Sequence, residues 1–473
     1  MIGRIWIDVE DLFEYARANP RPSGIQRLAF EIGRALVAIA PDRVAFVRHA
    51  SARGAFRTVP WSAVLALYDD LTGTTAGQTH VPQPLRPHGA RRQVLRSMAY
   101  RLSPALRVAL AEAANATAQA AAAWARVPGT ARTERRRRRI ATVANPVPEG
   151  PGFELAAPGD VLLAIGAPWG HPDYAALLAT QRALGLRVAL LLYDIIPLRR
   201  PEWCQPGLVR IFRAWLPTVL PQCDHVFAIS RATAADVRAY AGTHGIALTR
   251  DVVPIPIGTG WTQAVAAGPT RPDLPAPHSY ALTVSTIEVR KNHVLLFRLW
   301  RRLLEEMPAE RVPTLVFAGR VGWLTGDLLQ QIANADYLDG KIMVLQSPSD
   351  ADLAALYRGC LFTMLPSLYE GWGLPVSESL SFGKPCLIAN RTALPEAGGS
   401  LARCFDPDDL AQAYAAVRDL ITDPDGLAAW EARVRREFIS VPWSATAEAL
   451  LAALASAGPG QHHDADGDHA DRG

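Results

Sequence analysis

Glu370 and Glu378, eight positions apart, are the residues of this chain best placed to bind a ligand rich in hydroxyl groups. The apolar run 361–365 predicts a buried strand before them, and Pro375 suits the first turn of a following helix. Glu370 then lies at the carboxyl end of a strand, where open α/β sheets bind ligands, and Glu378 lies about one turn into the helix. Carboxylates accept hydrogen bonds from hydroxyls. The alternative is an ordinary pair of surface carboxylates.

A second polar group follows the strand-like run 280–284. Arg290 and Lys291 come just before an apolar-periodic helical segment, 294–304, and Asn292 is a candidate N-cap. Backbone N–H groups and the dipole at a helix N-terminus favour an anion, and two cations there would balance much of the charge of a diphosphate. Cations oppose the helix dipole, so a bound anion would explain their presence. The alternative is a basic turn facing water.

Several further positions follow predicted strands and are weaker candidates. Gly319 and Arg320 end one strand, and a glycine there permits close backbone approach to a ligand. Gly24 lies in the turn before the first long helix, and Asp194 follows a strongly apolar strand. Ordinary turns and caps explain these residues equally well. His171 is a lone histidine, which is more often structural than catalytic.

Composition restricts the class of protein. The chain has 473 residues, 49% of them hydrophobic and 20% charged, which indicates a globular protein of two or three domains. A net charge of +4 argues against a dedicated nucleic-acid binder. No apolar run approaches the ~20 residues that span a bilayer, and the N-terminus lacks a signal-peptide pattern. Five scattered cysteines favour a reducing cytosol without a disulfide framework, and no metal site is predicted.

Strand-like and helical segments alternate through most of the chain, which predicts an α/β protein with two Rossmann-like, doubly wound domains facing a cleft. The predicted strands are 2–9, 44–48, 161–165, 188–193, 225–229 and 252–257 in the first half, and 280–284, 314–318, 342–345, 361–365 and 386–389 in the second. The domains are expected at 1–267 and 268–443, with a Pro/Gly-rich linker at their junction.

Three segments fall outside this alternation. Residues 85–150 are read as an Ala-rich, basic insertion in the first domain, 444–457 as a last helix, and 458–473 as a disordered tail. The insertion contains five consecutive arginines, Arg135, Arg136, Arg137, Arg138 and Arg139. A solvated loop is the plain interpretation, and contact with an anionic membrane is the sharper one, at about 1 kcal/mol per basic residue.

The chain resembles the retaining glycosyltransferases of the GT-B fold, specifically glycosyltransferase family 4. Four motifs of the second half carry the resemblance: 284–292 (Val-Ser-Thr-Ile-Glu-Val-Arg-Lys-Asn), 315–319 (Leu-Val-Phe-Ala-Gly), 351–357 (Ala-Asp-Leu-Ala-Ala-Leu-Tyr) and 365–378 (Leu-Pro-Ser-Leu-Tyr-Glu-Gly-Trp-Gly-Leu-Pro-Val-Ser-Glu). The first half is similar more loosely, through Ser-Gly-Ile-Gln-Arg27 and Asp194-Ile-Ile-Pro.

The resemblance implies a nucleotide-sugar donor held by the second domain, an acceptor bound by the first, and a last helix that returns to the first. Lys291 and Arg290 would hold the diphosphate, Glu378 the ribose and Glu370 the transferred sugar. The residues expected at the reacting centre are Glu370, Lys291, Arg290 and Asp194, and those expected to bind the donor are Glu378, Gly371, Trp372, Gly373, Leu374, Ser285, Thr286, Gly319, Arg320 and Gly24.

The sequence departs from the family pattern in two places. Ser285 and Thr286 stand where many members have Gly-Arg, and Tyr193 replaces a histidine that contacts the sugar. The variant motif is most similar to mannosyl- or rhamnosyltransferases of surface-polysaccharide assembly. It implies GDP-mannose as donor, with a UDP-sugar as the alternative, no required cofactor, and a saccharide or lipid-linked acceptor at the cytoplasmic face of the membrane.

Two other functions stay open. An inactive nucleotide-sugar-binding subunit would bind the donor without turnover, because Tyr193 replaces the family histidine. A glycoside hydrolase also uses two carboxylates, but it would leave the basic pair Arg290 and Lys291 without a purpose.

Overall fold

The computed structural model describes residues 3–19, 21–49, 56–72, 156–171, 173–259 and 270–456. The predicted insertion, 85–150, with its five consecutive arginines, and the predicted tail, 458–473, lie outside the described residues.

The first sheet has seven strands in the order β3-β2-β1-β4-β5-β6-β7, all parallel except β3, which pairs antiparallel with β2. Ile5 and Ile7 of β1 enter one apolar cluster and Trp6 enters another, so both faces of the sheet are buried. Burial on both faces explains why these strands are continuous apolar runs. In chain order, strands β1 to β7 are Ile5–Asp8, Val44–His49, Phe56–Val59, Val161–Ala164, Arg187–Leu192, His225–Ala228 and Val253–Pro254.

The helices of this first domain cover both faces of the sheet. Ser230 caps one of them, because its side chain accepts a hydrogen bond from the backbone N–H of Thr233. The helices are Glu10–Ala18, Gly24–Ile39, Trp61–Thr72, Tyr174–Ala183, Ile196–Arg199, Pro206–Val219 and Arg231–Thr243.

The second sheet has six parallel strands in the order β10-β9-β8-β11-β12-β13. The chain reverses direction across the sheet between β8 and β11, as it does between β1 and β4 in the first sheet. In chain order, strands β8 to β13 are Tyr280–Val284, Thr314–Ala318, Ile342–Leu345, Thr363–Leu365, Cys386–Ala389 and Arg403–Phe405. The helices are His293–Glu306, Gly326–Asn334, Asp336–Asp339, Asp350–Gly359, Leu374–Ser381, Leu394–Gly398, Leu410–Thr422, Pro424–Glu437 and Trp443–Ala455.

The last helix, Trp443–Ala455, returns to the first domain. Ala447, Leu450 and Leu454 enter the apolar cluster that lies under the helix Gly24–Ile39. The backbone N–H of Gly258 donates to the hydroxyl of Thr446 at 3.0 Å. A β-carbon at Gly258 would lie 2.3 Å from the indole ring of Trp443, so only glycine permits this approach.

The predicted fold class, two doubly wound α/β domains with a helix crossing back, is confirmed. Among the elements that the sequence reading did not name are the helices Glu10–Ala18 and Trp61–Thr72 and the strands Phe56–Val59 and Arg403–Phe405. Both strands lie at sheet edges and are three or four residues long, with polar residues among the apolar ones. Edge strands of that length carry little of the periodicity that sequence analysis detects. In the described part of the chain, no helix is long and apolar enough to cross a bilayer.

Candidate active site

The site lies at the switch point of the second sheet. The loop after β8 carries Arg290 and Lys291, and the loop after the adjacent strand β11 carries Glu370. Crevices at this position bind ligands in open α/β sheets, because the loops on either side diverge to opposite faces. Asp194 reaches the same place from the end of β5 in the first domain. Its β-carbon lies 3.2 Å from the position that a β-carbon at Gly371 would take. The order of the second sheet thus brings Arg290, Lys291 and Glu370 together, and the contact between the domains adds Asp194.

Glu370 is bound to both cations. One carboxylate oxygen accepts a hydrogen bond from Lys291 Nζ at 2.5 Å, and the other accepts from Arg290 Nη1 at 2.8 Å. Arg290 also donates to the carbonyl oxygen of Tyr369 and pairs with Glu288 at 2.8 Å. The cations that were predicted to face a diphosphate are thus neutralised by carboxylates of their own domain.

Burial and charge oppose each other at this cluster. Burial raises the pKa of Glu370, but the charges of Arg290 and Lys291 outweigh it and lower the pKa to about 2. Burial and the neighbouring Arg290 guanidinium lower the pKa of Lys291. Burial also raises the pKa of Asp194, although Arg290 partly opposes the shift. Glu370 is therefore a firmly ionised carboxylate, which suits a hydrogen-bond acceptor and does not suit a general acid.

Glu378 is held from two sides. It lies on the second turn of the helix Leu374–Ser381, as predicted, with 10% of its side chain exposed. The hydroxyl of Tyr357 donates to its Oε2 at 2.8 Å, and Arg27 of the first domain pairs with its Oε1 at 2.8 Å. Each oxygen keeps a second acceptor position.

The loop between the two glutamates is shaped by close packing. A β-carbon at Gly371 would lie 2.0 Å from the carbonyl oxygen of Tyr193, so glycine here permits contact between the domains. Gly373 has φ of +111° and takes the N-cap position of the helix that begins at Leu374. Trp372 donates to Ser377 at 3.1 Å and packs, with Leu374, against the first-domain core. The first backbone N–H groups of a helix have no carbonyl partner within the helix itself.

Tyr193 does not take the place of the family histidine. Its side chain is buried, and its hydroxyl donates to the carbonyl oxygen of Ile165 inside the first domain. Its carbonyl oxygen and that of Gly371 both accept from Thr233 at 3.3 Å. The tyrosine thus supports the domain contact and directs no donor at a sugar.

The other residues predicted to bind the donor make packing contacts or are exposed. A β-carbon at Gly319 would lie 1.9 Å from the carbonyl oxygen of Ser285, so this glycine packs against the loop after β8. Thr286 packs against Gly322, and the side chain of Arg320 is exposed. Gly24 contacts Leu374, which lies 3.4 Å from where its β-carbon would be.

One expectation needs correction. Asn292 occupies the N-cap position of the helix His293–Glu306 in a left-handed conformation, but its side chain makes no cap and donates instead to the carbonyl oxygen of Pro407. His171 follows the turn Pro168–Gly170 after β4, and its ring meets that of His49 at 4.6 Å between centroids, which agrees with a structural role.

Sequence reasoning missed three contributors. Tyr357 and Arg27 hold Glu378, and His293 lies buried under the site with Nε2 3.3 Å from the hydroxyl of Ser285. Burial and the charge of Lys291 lower the pKa of His293 to about 3, so it is neutral. Arg27 ends the motif Ser-Gly-Ile-Gln-Arg, which was the available signal.

Among the residues with described positions, no cluster of His, Cys, Asp and Glu side chains could hold a metal ion. Asp409 caps the helix Leu410–Thr422, because its side chain accepts hydrogen bonds from the backbone N–H groups of Ala411 and Gln412.

Two facing Rossmann-like domains, a basic switch-point site and a returning last helix define the GT-B class of glycosyltransferase folds. The model of the Glycosyl transferases group 1 family matches residues 271–437, which lie in the second domain. The crystal structure of Anabaena HepE in complex with UDP aligns with 96% of this chain and 100% of its own, with a TM-score of 0.53 at 13% identity. That likeness concerns the fold alone.

Two curated relatives come from Escherichia coli. The serotype-specific mannosyltransferase WbdA is 29% identical over 302 residues, which cover 59% of this chain and 35% of WbdA. The O-antigen chain mannosyltransferase B is 35% identical over 144 residues, which cover 30% of this chain and 37% of that protein. The chain spans about a third of the length of the curated relatives it matches.

Proposed function

We propose that the protein is a retaining glycosyltransferase that moves mannose from GDP-mannose to a saccharide or lipid-linked saccharide in cell-surface polysaccharide assembly. One observation carries the proposal: Glu370 bridges Arg290 and Lys291 at the β8–β11 switch point. A carboxylate that bridges two buried cations occupies a place that suits a diphosphate, which has similar charge and acceptor oxygens.

In this proposal, the donor diphosphate replaces Glu370 on Arg290 and Lys291. Bond cleavage leaves negative charge on the diphosphate and oxocarbenium character on the sugar, and preorganised cations stabilise that charge as it develops. The released carboxylate of Glu370 then accepts hydrogen bonds from hydroxyls of the sugar, and Glu378 accepts from the ribose. The N–H groups at the start of the helix Leu374–Ser381 add donors beside the phosphate.

Asp194 approaches this centre from the acceptor side. It accepts a hydrogen bond from the backbone N–H of Ile196 at 3.0 Å, which fixes its carboxyl group at the end of β5. We assign it the orientation of an acceptor or sugar hydroxyl. Retention would follow a front-face route, in which the leaving phosphate takes the proton of the acceptor and no protein nucleophile is needed.

The choice of mannose rests on the relatives, because both E. coli proteins carry the name mannosyltransferase. The HepE structure is a complex with UDP, so a UDP-sugar is the alternative donor. The five consecutive arginines support a peripheral position at the inner face of an anionic membrane, which is part of the same proposal.

A thermal-shift panel of nucleotide sugars, followed by transfer assays, tests the function. A ligand that binds only the folded protein adds about 2.7 kcal/mol to the free energy of unfolding when its concentration is a hundred times its Kd. The melting temperature rises as a result. We expect GDP-mannose to stabilise the protein and to be consumed only with a saccharide acceptor. Binding without turnover on any acceptor would identify the inactive subunit instead, and release of free mannose from oligosaccharides would identify a hydrolase.

A further inference from the structure

A short segment of the first domain, from Arg21 to Arg27, docks on the second domain beside Glu378. Arg21 donates to the carbonyl oxygens of Ser347 and Pro348, both at 2.5 Å. The first turn of the helix Gly24–Ile39 meets the start of the helix Leu374–Ser381. The two domains therefore touch at the end of the cleft where Glu378 lies.

Arg27 is placed between two carboxylates of the second domain. It pairs with Glu378 at 2.8 Å and also feels the charge of Asp350. Burial opposes its charge, but these carboxylates outweigh the burial and raise the pKa of Arg27. Asp350 begins the helix Asp350–Gly359, which also carries Tyr357, the residue that donates to the other oxygen of Glu378.

Each oxygen of Glu378 thus has one fixed donor, Arg27 on Oε1 and Tyr357 on Oε2, and one acceptor position left. Tyr357 acts in every state of the second domain, since both residues belong to it. Arg27 acts only while the domains are in contact. Both oxygens of the carboxylate are therefore held only while the two domains are in contact.

We propose that Arg27 is a positioning residue for the donor ribose, which it aligns through Glu378, so that recognition of the ribose depends on the contact between the two domains. The inference rests on the proposed function, because it takes Glu378 as the ribose-binding residue. Without Arg27, Glu378 keeps its charge and its bond to Tyr357 but loses the constraint on its orientation. Its preference for a ligand with both ribose hydroxyls should then weaken.

The test is a comparison of nucleotides on variants of the full chain by calorimetry. The probes are GDP and its 2′-deoxy and 3′-deoxy analogues, with the UDP set in parallel. The variants are Arg27→Gln, Arg27→Lys and, as a control on the same helix, Arg34→Gln, whose side chain pairs with Glu31 within that helix. Arg27→Lys keeps the charge without the planar fork and supplies the same comparison if the glutamine variant does not fold.

We expect the wild type and Arg34→Gln to prefer the ribonucleotide over one deoxy analogue by roughly 10- to 100-fold, as for a hydrogen bond to a charged group. The preference should fall to about 3-fold or less in Arg27→Gln and lie between these values in Arg27→Lys. If Arg27→Gln weakens all nucleotides equally and keeps the wild-type preference, Arg27 only joins the domains and the inference is wrong. If the wild type binds neither GDP nor UDP, the proposed function itself fails.

Discussion

Replacing Glu370 by glutamine should tighten the binding of free GDP or UDP. In the donor-free site Glu370 holds Lys291 at 2.5 Å and Arg290 at 2.8 Å, and a diphosphate must displace it from both. A hydrogen bond to a charged group is worth about 1.5–3 kcal/mol net. Glutamine keeps one neutral oxygen for the cations, so about one such bond no longer opposes the nucleotide. The expected gain in affinity is roughly 10- to 150-fold.

Transfer should change in the opposite direction. A free nucleoside diphosphate lacks the transferred sugar that Glu370 would contact, so the effect of the substitution on its affinity reports only the competition for the cations. GDP-mannose has that sugar, and loss of the carboxylate should lower kcat by about 10²-fold, as for other preorganised transition-state contacts. Calorimetry with GDP and UDP, and transfer rates with GDP-mannose, measure the two effects on the same preparation.

Glu431→Gln is the matched control. Glu431 also accepts from a lysine and an arginine, Lys384 at 2.7 Å and Arg435 at 2.5 Å. Lys384 lies just before β12, so this pair lies at the amino-terminal ends of the strands, whereas the site lies at their carboxyl-terminal ends. Its replacement should leave nucleotide affinity unchanged. An unchanged or weakened affinity of Glu370→Gln for both nucleotides would refute the assignment of Arg290 and Lys291 to the diphosphate.

Three further outcomes are expected. Lys291→Ala should lower kcat by about 10²-fold or more, whereas Lys341→Ala, which removes a bond to the carbonyl of Val312, should not; equal effects would remove the leaving-group role. Burial raises the pKa of Asp11 to about 6, so the folded protein takes up a proton there between about pH 4 and 6, and stability falls as the pH rises through that window. Relative to wild type, Asp11→Asn should gain up to about 3 kcal/mol in urea unfolding on going from pH 4 to pH 7.5, and parallel pH profiles would contradict this. Deleting Arg135–Arg139 should weaken binding to anionic vesicles at low salt; equal sedimentation with vesicles would exclude the membrane role.

The second domain was readable from the sequence because its strands are short apolar runs bounded by Gly, Pro and charged turns. The strands Tyr280–Val284 and Cys386–Ala389 coincide with the predicted runs. The position of Glu370 at a strand end and of Glu378 on the next helix follow from that local pattern alone.

The pairings within the site were not readable. Arg290 and Glu370 are 80 positions apart and meet only because β8 and β11 are neighbours in the sheet. Arg27 and Glu378 are 351 positions apart and belong to different domains. The comparison of Tyr193 with a sugar-contacting histidine failed for a related reason. Only the packing of the first domain shows that the tyrosine hydroxyl points inward to Ile165. Local periodicity predicts the elements but carries no information about such long-range partners.

The neutralisation of Arg290 and Lys291 has a consequence for how an anion reaches the site. Arg290 interacts with the charges of three carboxylates, Glu370, Glu288 and Asp194. The crevice therefore presents little positive potential to the solvent. Long-range electrostatic steering, which raises association rates for many phosphate-binding proteins, is then weak here. Nucleotide on-rates should vary little with ionic strength, and inorganic phosphate and other cellular polyanions should compete poorly for the crevice. Because the carboxylates neutralise the two cations, a phosphate group alone should bind weakly, and the protein should select a donor that also carries a ribose and a sugar.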